Sequence, residues 1–389
     1  MLREWRLLYM ESKNKCEVSK YCGGCKYQGI DYLKQLETKY EYVNKLLNRF
    51  NKVKPILGME DPYHYRNKVQ VSFGVDEYRH VICGNYVPSS HMIVPVEDCL
   101  ICDKTANEII NSIKRLVIKY KINIFDERAL KGCLRHVLIR CSSNNEYMVV
   151  LVTGSLTIHN CDLLVKDILK FNPSVTTIVQ NINNKHTSMI LGERNNTLYG
   201  KGYITDTLCG LDSQISSSSF YQVNKRQTEV LYNEAVKAAG LTGKETLIDA
   251  YCGTGTIGMI MAKTAKRVIG VELNKDAIKD ANKNMRNNKI ANIEFICDDA
   301  SNFMNRLAKQ KFKVDVVVMD PPRTGSDIKF LKAVASLRPE KLVYVSCNPE
   351  TLKRDLDFIS KYYKVNSIQP VDMFPFTAHV ECVVVMQRK

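Results

Sequence analysis

The sequence predicts an α/β protein: a doubly wound, Rossmann-like domain at the C-terminus, preceded by an α+β domain with a cysteine cluster at its start. Three observations predict it. Strand-like runs at Thr246–Asp249, Arg267–Glu272, Asn292–Cys297, Val314–Met319 and Lys341–Ser346 alternate with helical stretches, the pattern of right-handed βαβ units on a parallel sheet. The first of these strands runs into Gly253, Gly255 and Gly258, a tight turn opening a helix. Before residue 215 strands and helices mix without that alternation.

Residues 12–29 are an irregular Cys/Gly/Lys segment. From Ile30 to Phe50, Leu33, Leu36, Tyr40, Val43, Leu46 and Leu47 recur at helical spacing, giving an amphipathic helix. Strands follow at Val69–Phe73, Leu134–Arg140, Tyr147–Thr153 and Thr176–Val179, with helices near 103–120 and 160–170. After Ser216–Ser219 a helix at Lys225–Ala239 leads into the alternating region, and Glu381–Gln387 forms the last strand. The expected division is 1–60, 61–215 and 216–389.

A chain of 389 residues with 45% hydrophobic and 25% charged residues is ordinary for a soluble protein. No apolar run is long enough to span a bilayer. Met1–Met10 carries charges throughout and has no signal-peptide pattern, so the expected compartment is the cytoplasm, with no membrane and no obligate protein partner. The net charge of +15 is spread as +5 over 1–60, +2 over 61–215 and +8 over 216–389. That balance fits a solvated surface or one facing a polyanion. The 14 cysteines point away from a disulfide framework in that compartment and toward metal or catalytic roles. Eight sit singly in apolar surroundings and read as small buried hydrophobes.

The loop Asp249-Ala250-Tyr251-Cys252-Gly253-Thr254-Gly255 suits NAD, FAD or S-adenosylmethionine. Glu272, ending the next strand, would accept from ribose hydroxyls. Asp299 would reach an adenine amino group or cap a helix. Asp320-Pro321-Pro322-Arg323 ends the fourth strand, a motif a dehydrogenase has no use for and nucleic-acid methyltransferases do. Cys347, before Asn348-Pro349, stands where a following helix would lower its thiol pKa, and it reads as a nucleophile. Carbon 5 of uracil attacks a sulfonium only after a thiolate adds at C6. A base must then remove the C5 proton, and Glu381 or His379 supplies it.

Together these residues resemble the RNA uracil-5-methyltransferase family over 218–385. The carrying motifs are Ser-Phe-Tyr-Gln-Val-Asn at 219–224, Asp-Ala-Tyr-Cys-Gly-Thr-Gly at 249–255, Asp-Pro-Pro-Arg at 320–323, Ser-Cys-Asn-Pro at 346–349 and His-Val-Glu at 379–381. The resemblance implies Cys347 as nucleophile, Glu381 as proton acceptor, and Gln222, Tyr251, Glu272 and Asp320 on S-adenosylmethionine. It places Phe220 against a flipped uracil. Cys16, Cys22, Cys25 and Cys99 match the ligands of a 4Fe–4S cluster in one branch, which favours 23S ribosomal RNA as substrate and transfer RNA at uridine 54 as the alternative. A zinc site from Cys22/Cys25 and Cys99/Cys102 competes with the cluster. With the cysteine motif beginning at Cys16, no room is expected for the N-terminal β-barrel of the ribosomal branch. RNA contacts would then fall on Arg66, Lys68, Arg135 and His136, with Arg323 also on the substrate side, while the resemblance puts Gln222 and Asp320 near the target base. Cytosine-C5 and exocyclic-amine methylation fit less well. The first calls for a cysteine within 320–323, the second for an aromatic where Arg323 stands.

Overall fold

The structure, a computed structural model, describes residues 16–389; Met1–Met10, on which the signal-peptide reading rests, lies outside them. From the first described helix the elements run α1 (Tyr32–Leu47), β1 (Lys68–Val75), β2 (Val81–Tyr86), β3 (Ile93–Pro95), α2 (Lys104–Lys119), β4 (Leu134–Cys141), β5 (Tyr147–Thr153), α3 (Cys161–Phe171), β6 (Val175–Ile182) and β7 (Arg194–Tyr199). A ribbon, β8 (Tyr203–Leu208) and β9 (Leu211–Ser216), precedes α4 (Lys225–Ala239). Then come β10 (Thr246–Ala250), α5 (Thr256–Ala262), β11 (Arg267–Glu272), α6 (Lys275–Asn287), β12 (Ile293–Cys297) and α7 (Ala300–Lys309). The chain closes with β13 (Val316–Met319), α8 (Ile328–Leu337), β14 (Lys341–Ser346), α9 (Pro349–Ile359), β15 (Tyr363–Val371) and β16 (Glu381–Arg388).

Two compact units result. One holds 16–31, Asp61–Asp206 and Gln214–Asn224; the other holds Tyr32–Glu60, Thr207–Ser213 and Lys225–Lys389. The first carries a seven-stranded sheet in the order β3-β2-β1-β4-β5-β6-β7, antiparallel except where β5 and β6 run parallel across α3. Every residue of β4 and β5 is buried, so these strands form the centre of its core.

The second unit has the order β12-β11-β10-β13-β14-β16-β15. Five strands are parallel, and β10, β11, β13 and β14 are largely buried, as βαβ crossovers require, while the edge strand β12 is mostly not. β16 enters antiparallel between β14 and β15. This is the Rossmann-like sheet the sequence predicts, with one strand more. β15 breaks the strand–helix alternation and contains Pro370, so the pattern does not announce it.

The boundaries also differ from the expected three-part division. Val43 and Leu47 of α1 are fully buried in the same core as Phe330, Leu352, Ile359 and Ile368. The chain after α1 then runs along β15, with the Lys54 and Leu57 amides donating to the Ile368 and Pro370 carbonyls at 3.0 Å. Tyr32–Glu60 therefore belongs with the C-terminal sheet, covering its outer strand, and 216–224 belongs with the other unit. The β8–β9 turn uses Cys209 and Gly210, both with positive φ, the geometry a two-residue hairpin wants.

Truncating Leu47 to Ala should destabilise the C-terminal unit by about 2–5 kcal/mol. Hydrogen exchange should quicken in β14–β16 and stay unchanged in β4 and β5. Exchange altered in neither would mean that α1 is not part of this core.

Candidate active site

β10 ends in a loop that the backbone can follow only with left-handed residues: Tyr251, Gly253 and Gly255 have φ of 61°, 53° and 79°. A side chain at Gly255 would lie 2.3 Å from the Phe295 ring, whereas one at Gly253 would meet nothing within 4 Å. Gly255 thus allows the packing, and Gly253 leaves open space over the loop. Glu272, at the end of β11, accepts from the Gly253 amide at 3.2 Å and the Asn274 amide at 2.9 Å. Tyr251 lays its ring on Phe330, 5.1 Å between centroids, with its hydroxyl 3.2 Å from Ser326 Oγ.

Asp249, which the motif reading assigns no role of its own, is 1% exposed. Its Oδ2 accepts from the Gly258 amide at 2.7 Å, and its Oδ1 has no protein partner. Burial, with the nearby Asp320 and Glu272 charges, pushes its carboxyl up to about 7. Asp299 serves as the N-cap of α7, accepting from the Asn302 amide at 2.9 Å. That is the capping role weighed against an adenine contact.

The sheet register assembles the rest. β14 and β16 pair antiparallel with Ser346 opposite Cys382. Cys347 follows Ser346 and Glu381 precedes Cys382, so the two lie beside that pair, and the Glu381 charge acts on the thiol. The same edge carries Asp320, directly after β13. Asn348 caps α9 by accepting from the Glu350 amide at 3.0 Å, with Pro349 in the first turn.

The expectation of a depressed thiol pKa at this helix start is corrected. Burial, then the Glu381 and Asp320 carboxylates, push Cys347 up to about 11, and the opposing effect of Arg323 is smaller. Desolvation and two like-signed neighbours outweigh the positive partial charge of the helix's first turn. Burial and Asp320 raise Glu381 to about 8, and burial raises Asp320 to about 7. His379 has its Nδ1 3.3 Å from Arg323 Nη2 and is held below its usual range by burial, Arg323 and Lys39. The cluster therefore joins a soft nucleophile to carboxyls that exchange protons near neutral pH.

In the other unit Phe220 is 72% exposed, as a stacking residue would be, and the Gln222 carbonyl accepts from Asn67 Nδ2 at 3.0 Å. Arg135 and His136, expected on RNA, are buried at 3% and 2% exposure. Arg135 donates to the Asn183 carbonyl at 2.7 Å and the Lys185 carbonyl at 3.0 Å. His136 Nδ1 lies 3.1 Å from Ser72 Oγ, and burial pushes its pKa down to about 4. β4 is a central strand, so its cations are internal and the RNA assignment fails for both.

Arg66 and Lys68 line a cavity of about 830 Å³ together with Cys16, Cys22, Cys25, Cys99 and Cys102. All four expected cluster ligands thus share one space. Among the described residues, no three His, Cys, Asp or Glu side chains converge as a metal-ion site. The soft thiol donor set suits a thiolate-bound group, while a ligand geometry is not formed.

Comparison with known proteins sets these features in context. A family model described as tRNA (uracil-5-)-methyltransferase matches residues 31–389. An uncharacterized RNA methyltransferase of Halalkalibacterium halodurans is 43% identical over 381 residues, covering 96% of this chain and 83% of the relative. Another, from Clostridium acetobutylicum, is 44% identical over 382 residues with the same coverage. Among solved structures, the Pyrococcus abyssi tRNA (uracil-54, C5)-methyltransferase with S-adenosyl-L-homocysteine superposes with a TM-score of 0.78 at 27% identity. That match covers 95% of this chain and 86% of the other. Within the described residues, no helix is long and apolar enough to cross a membrane.

Peptide-resolved alkylation of Cys347 should rise with pH toward a midpoint of about 11. Glu381→Gln should lower that midpoint, because a charge opposing the thiolate is gone. A wild-type midpoint at or below the ordinary thiol value of about 8.5 would contradict the electrostatics of the site.

Proposed function

The chain belongs to the tRNA (uracil-5-)-methyltransferase family, and from that premise we propose that it methylates carbon 5 of a uridine in RNA, with Cys347 as nucleophile and Glu381 as proton acceptor. The observation that carries this reading is that Cys347 and Glu381 directly flank the last β14–β16 pair, Ser346 and Cys382, with the Glu381 and Asp320 charges both acting on the thiol. A carboxylate of the cluster takes the Cys347 proton, and the thiolate adds to C6, moving the ring electrons onto O4 as an enolate, so that C5 can form the new carbon–carbon bond as the methyl's bond to the donor's sulfonium breaks and S-adenosylhomocysteine leaves. Glu381, as carboxylate, then takes the C5 proton, and the C6–S bond breaks to release Cys347. Glu381 is raised to about 8, so the carboxylate form grows as pH rises through the neutral range.

S-adenosylmethionine supplies the electrophilic methyl group. The residues present fit it: open space over Gly253, and the acceptors Glu272, Asp320 and the unpartnered Asp249 Oδ1 for ribose hydroxyls and an ammonium group. Tyr251 and Gln222 complete the proposed set, with Gly253 and Gly255 shaping the loop and Phe220 stacking on the uracil. Arg323 is assigned to the substrate side, and Gln222 and Asp320 to the neighbourhood of the target base. Arg66 and Lys68 line the cysteine cavity, and their proposed role is to bring positive charge to that surface.

The substrate we propose is 23S ribosomal RNA in the cytoplasm. The support is that Cys16, Cys22, Cys25 and Cys99 line one cavity, where they would hold a 4Fe–4S cluster. The cluster's part is structural, because methyl transfer involves no net redox change. Transfer RNA is the second reading, favoured by the substrate in the name of the Pyrococcus abyssi protein.

Anaerobically purified protein, labelled S-adenosylmethionine and unmethylated RNA of each class, digested to nucleosides, test both. Label in 5-methyluridine from ribosomal RNA is the expected result, and Cys347→Ala should reduce it by at least about 10³-fold, the scale of losing a nucleophile. Label from transfer RNA alone reassigns the target. Label in another nucleoside overturns the uridine reading, and full activity in Cys347→Ala overturns the covalent one.

A further inference from the structure

The loop between β15 and β16, residues 372–380, leads directly into Glu381 and carries His379. It is held by a charged pair deep in the C-terminal unit. Lys39 of α1 is 1% exposed, and its Nζ donates to Asp372 Oδ1 at 2.6 Å and to the Phe374 carbonyl at 3.1 Å. The other carboxylate oxygen of Asp372 accepts from the Tyr32 hydroxyl at 2.9 Å. Gln35, one turn before Lys39, accepts from the Phe376 amide at 2.9 Å. Phe376 has a φ of 66° and is 2% exposed. The Asp372 amide and carbonyl are also used, by the Leu57 carbonyl at 2.8 Å and by Gln227 Nε2 at 3.0 Å.

An ion pair taken out of water contributes little net stability, because desolvation offsets the attraction. It does impose a definite geometry. A positive-φ phenylalanine persists only where its surroundings over-determine it. Both features fall on the loop that sets where β16 begins, and β16 begins with the carboxylate that acts on Cys347. Among the described residues no side chain hydrogen-bonds to Glu381, so its placement depends on its backbone.

We propose that Lys39, with Gln35 and Asp372, is a positioning residue for the proton-abstraction step: it fixes the 372–380 loop so that Glu381 meets C5 of the methylated, Cys347-bound uracil. This rests on the functional reading above and extends it to Lys39 and Gln35, more than 300 positions from Glu381 in sequence. Lys39 touches no reacting atom. Its loss should slow breakdown of the covalent RNA adduct and leave its formation intact.

The test uses full-length protein and its methylatable RNA, comparing wild type, Glu381→Gln, Lys39→Met and the double variant Lys39→Met/Asp372→Asn. The double variant removes both charges together and guards against a fold lost to one unpaired buried charge. Displacement of the loop by about 1 Å should lower kcat by roughly 10- to 100-fold with KM for RNA near wild type. A denaturation-resistant RNA adduct carrying the transferred methyl should accumulate in both Lys39 variants, as in Glu381→Gln. A lowered Tm with wild-type adduct turnover in the folded double variant would assign Lys39 to stability alone and overturn the proposal. If neither wild type nor Glu381→Gln forms an adduct, the covalent reading itself fails, which is a separate outcome.

Discussion

Antiparallel insertion of β16 between β14 and β15 is the constraint on which the site depends, because a sheet of parallel strands alone would present only strand ends at its carboxyl edge. With one strand reversed, the start of β16 meets the end of β14, and the register from Lys341↔Gln387 to Ser346↔Cys382 leaves Cys347 and Glu381 flanking its last pair. A shift of one residue would turn the Glu381 side chain to the other face. The buried run from Leu342 to Val345 against Val383 and Val384 makes such a slip expensive. Hydrophobic pairing in the core thus sets the geometry of two polar groups at its rim.

That placement has an electrostatic cost. Asp249, Asp320 and Glu381 sit near one another in low-dielectric surroundings, each raised toward neutrality by burial, and Cys347 is held as a thiol beside them. Grouping like charges this way opposes folding with all of them ionised, and such clusters concentrate at functional sites. The open space at Gly253 and the unpartnered Asp249 Oδ1 belong to the same edge. Groups left unsatisfied in the free protein are those a cationic or hydroxyl-bearing ligand can satisfy.

Much of this was legible in the sequence, for identifiable reasons. The parallel strands announce themselves through continuous β-branched runs, with the glycine loop, Asp320 and Cys347 at their ends, and Glu381 opens the last strand. Less legible was whatever depends on packing at long range. Arg135 and His136 look like surface cations until β4 proves central to its sheet. The Cys347 thiol looks activated by its helix until the carboxylates across the sheet are counted. Assignment of α1 to the C-terminal core rests on Val43 and Leu47 meeting strands some 300 residues later, which no local pattern encodes.

The central claim is that Cys347 and Glu381 act on the same uracil in sequence, one forming a bond to C6 and the other clearing C5. RNA bearing 5-fluorouridine tests it most directly, since fluorine at C5 cannot leave as a proton and elimination is blocked. After incubation with S-adenosylmethionine and proteolysis, mass spectrometry should find the Cys347 peptide joined to a fluorinated, methylated nucleotide. Attachment at any other cysteine, or full consumption of the methyl donor with no protein–RNA bond, would contradict the account.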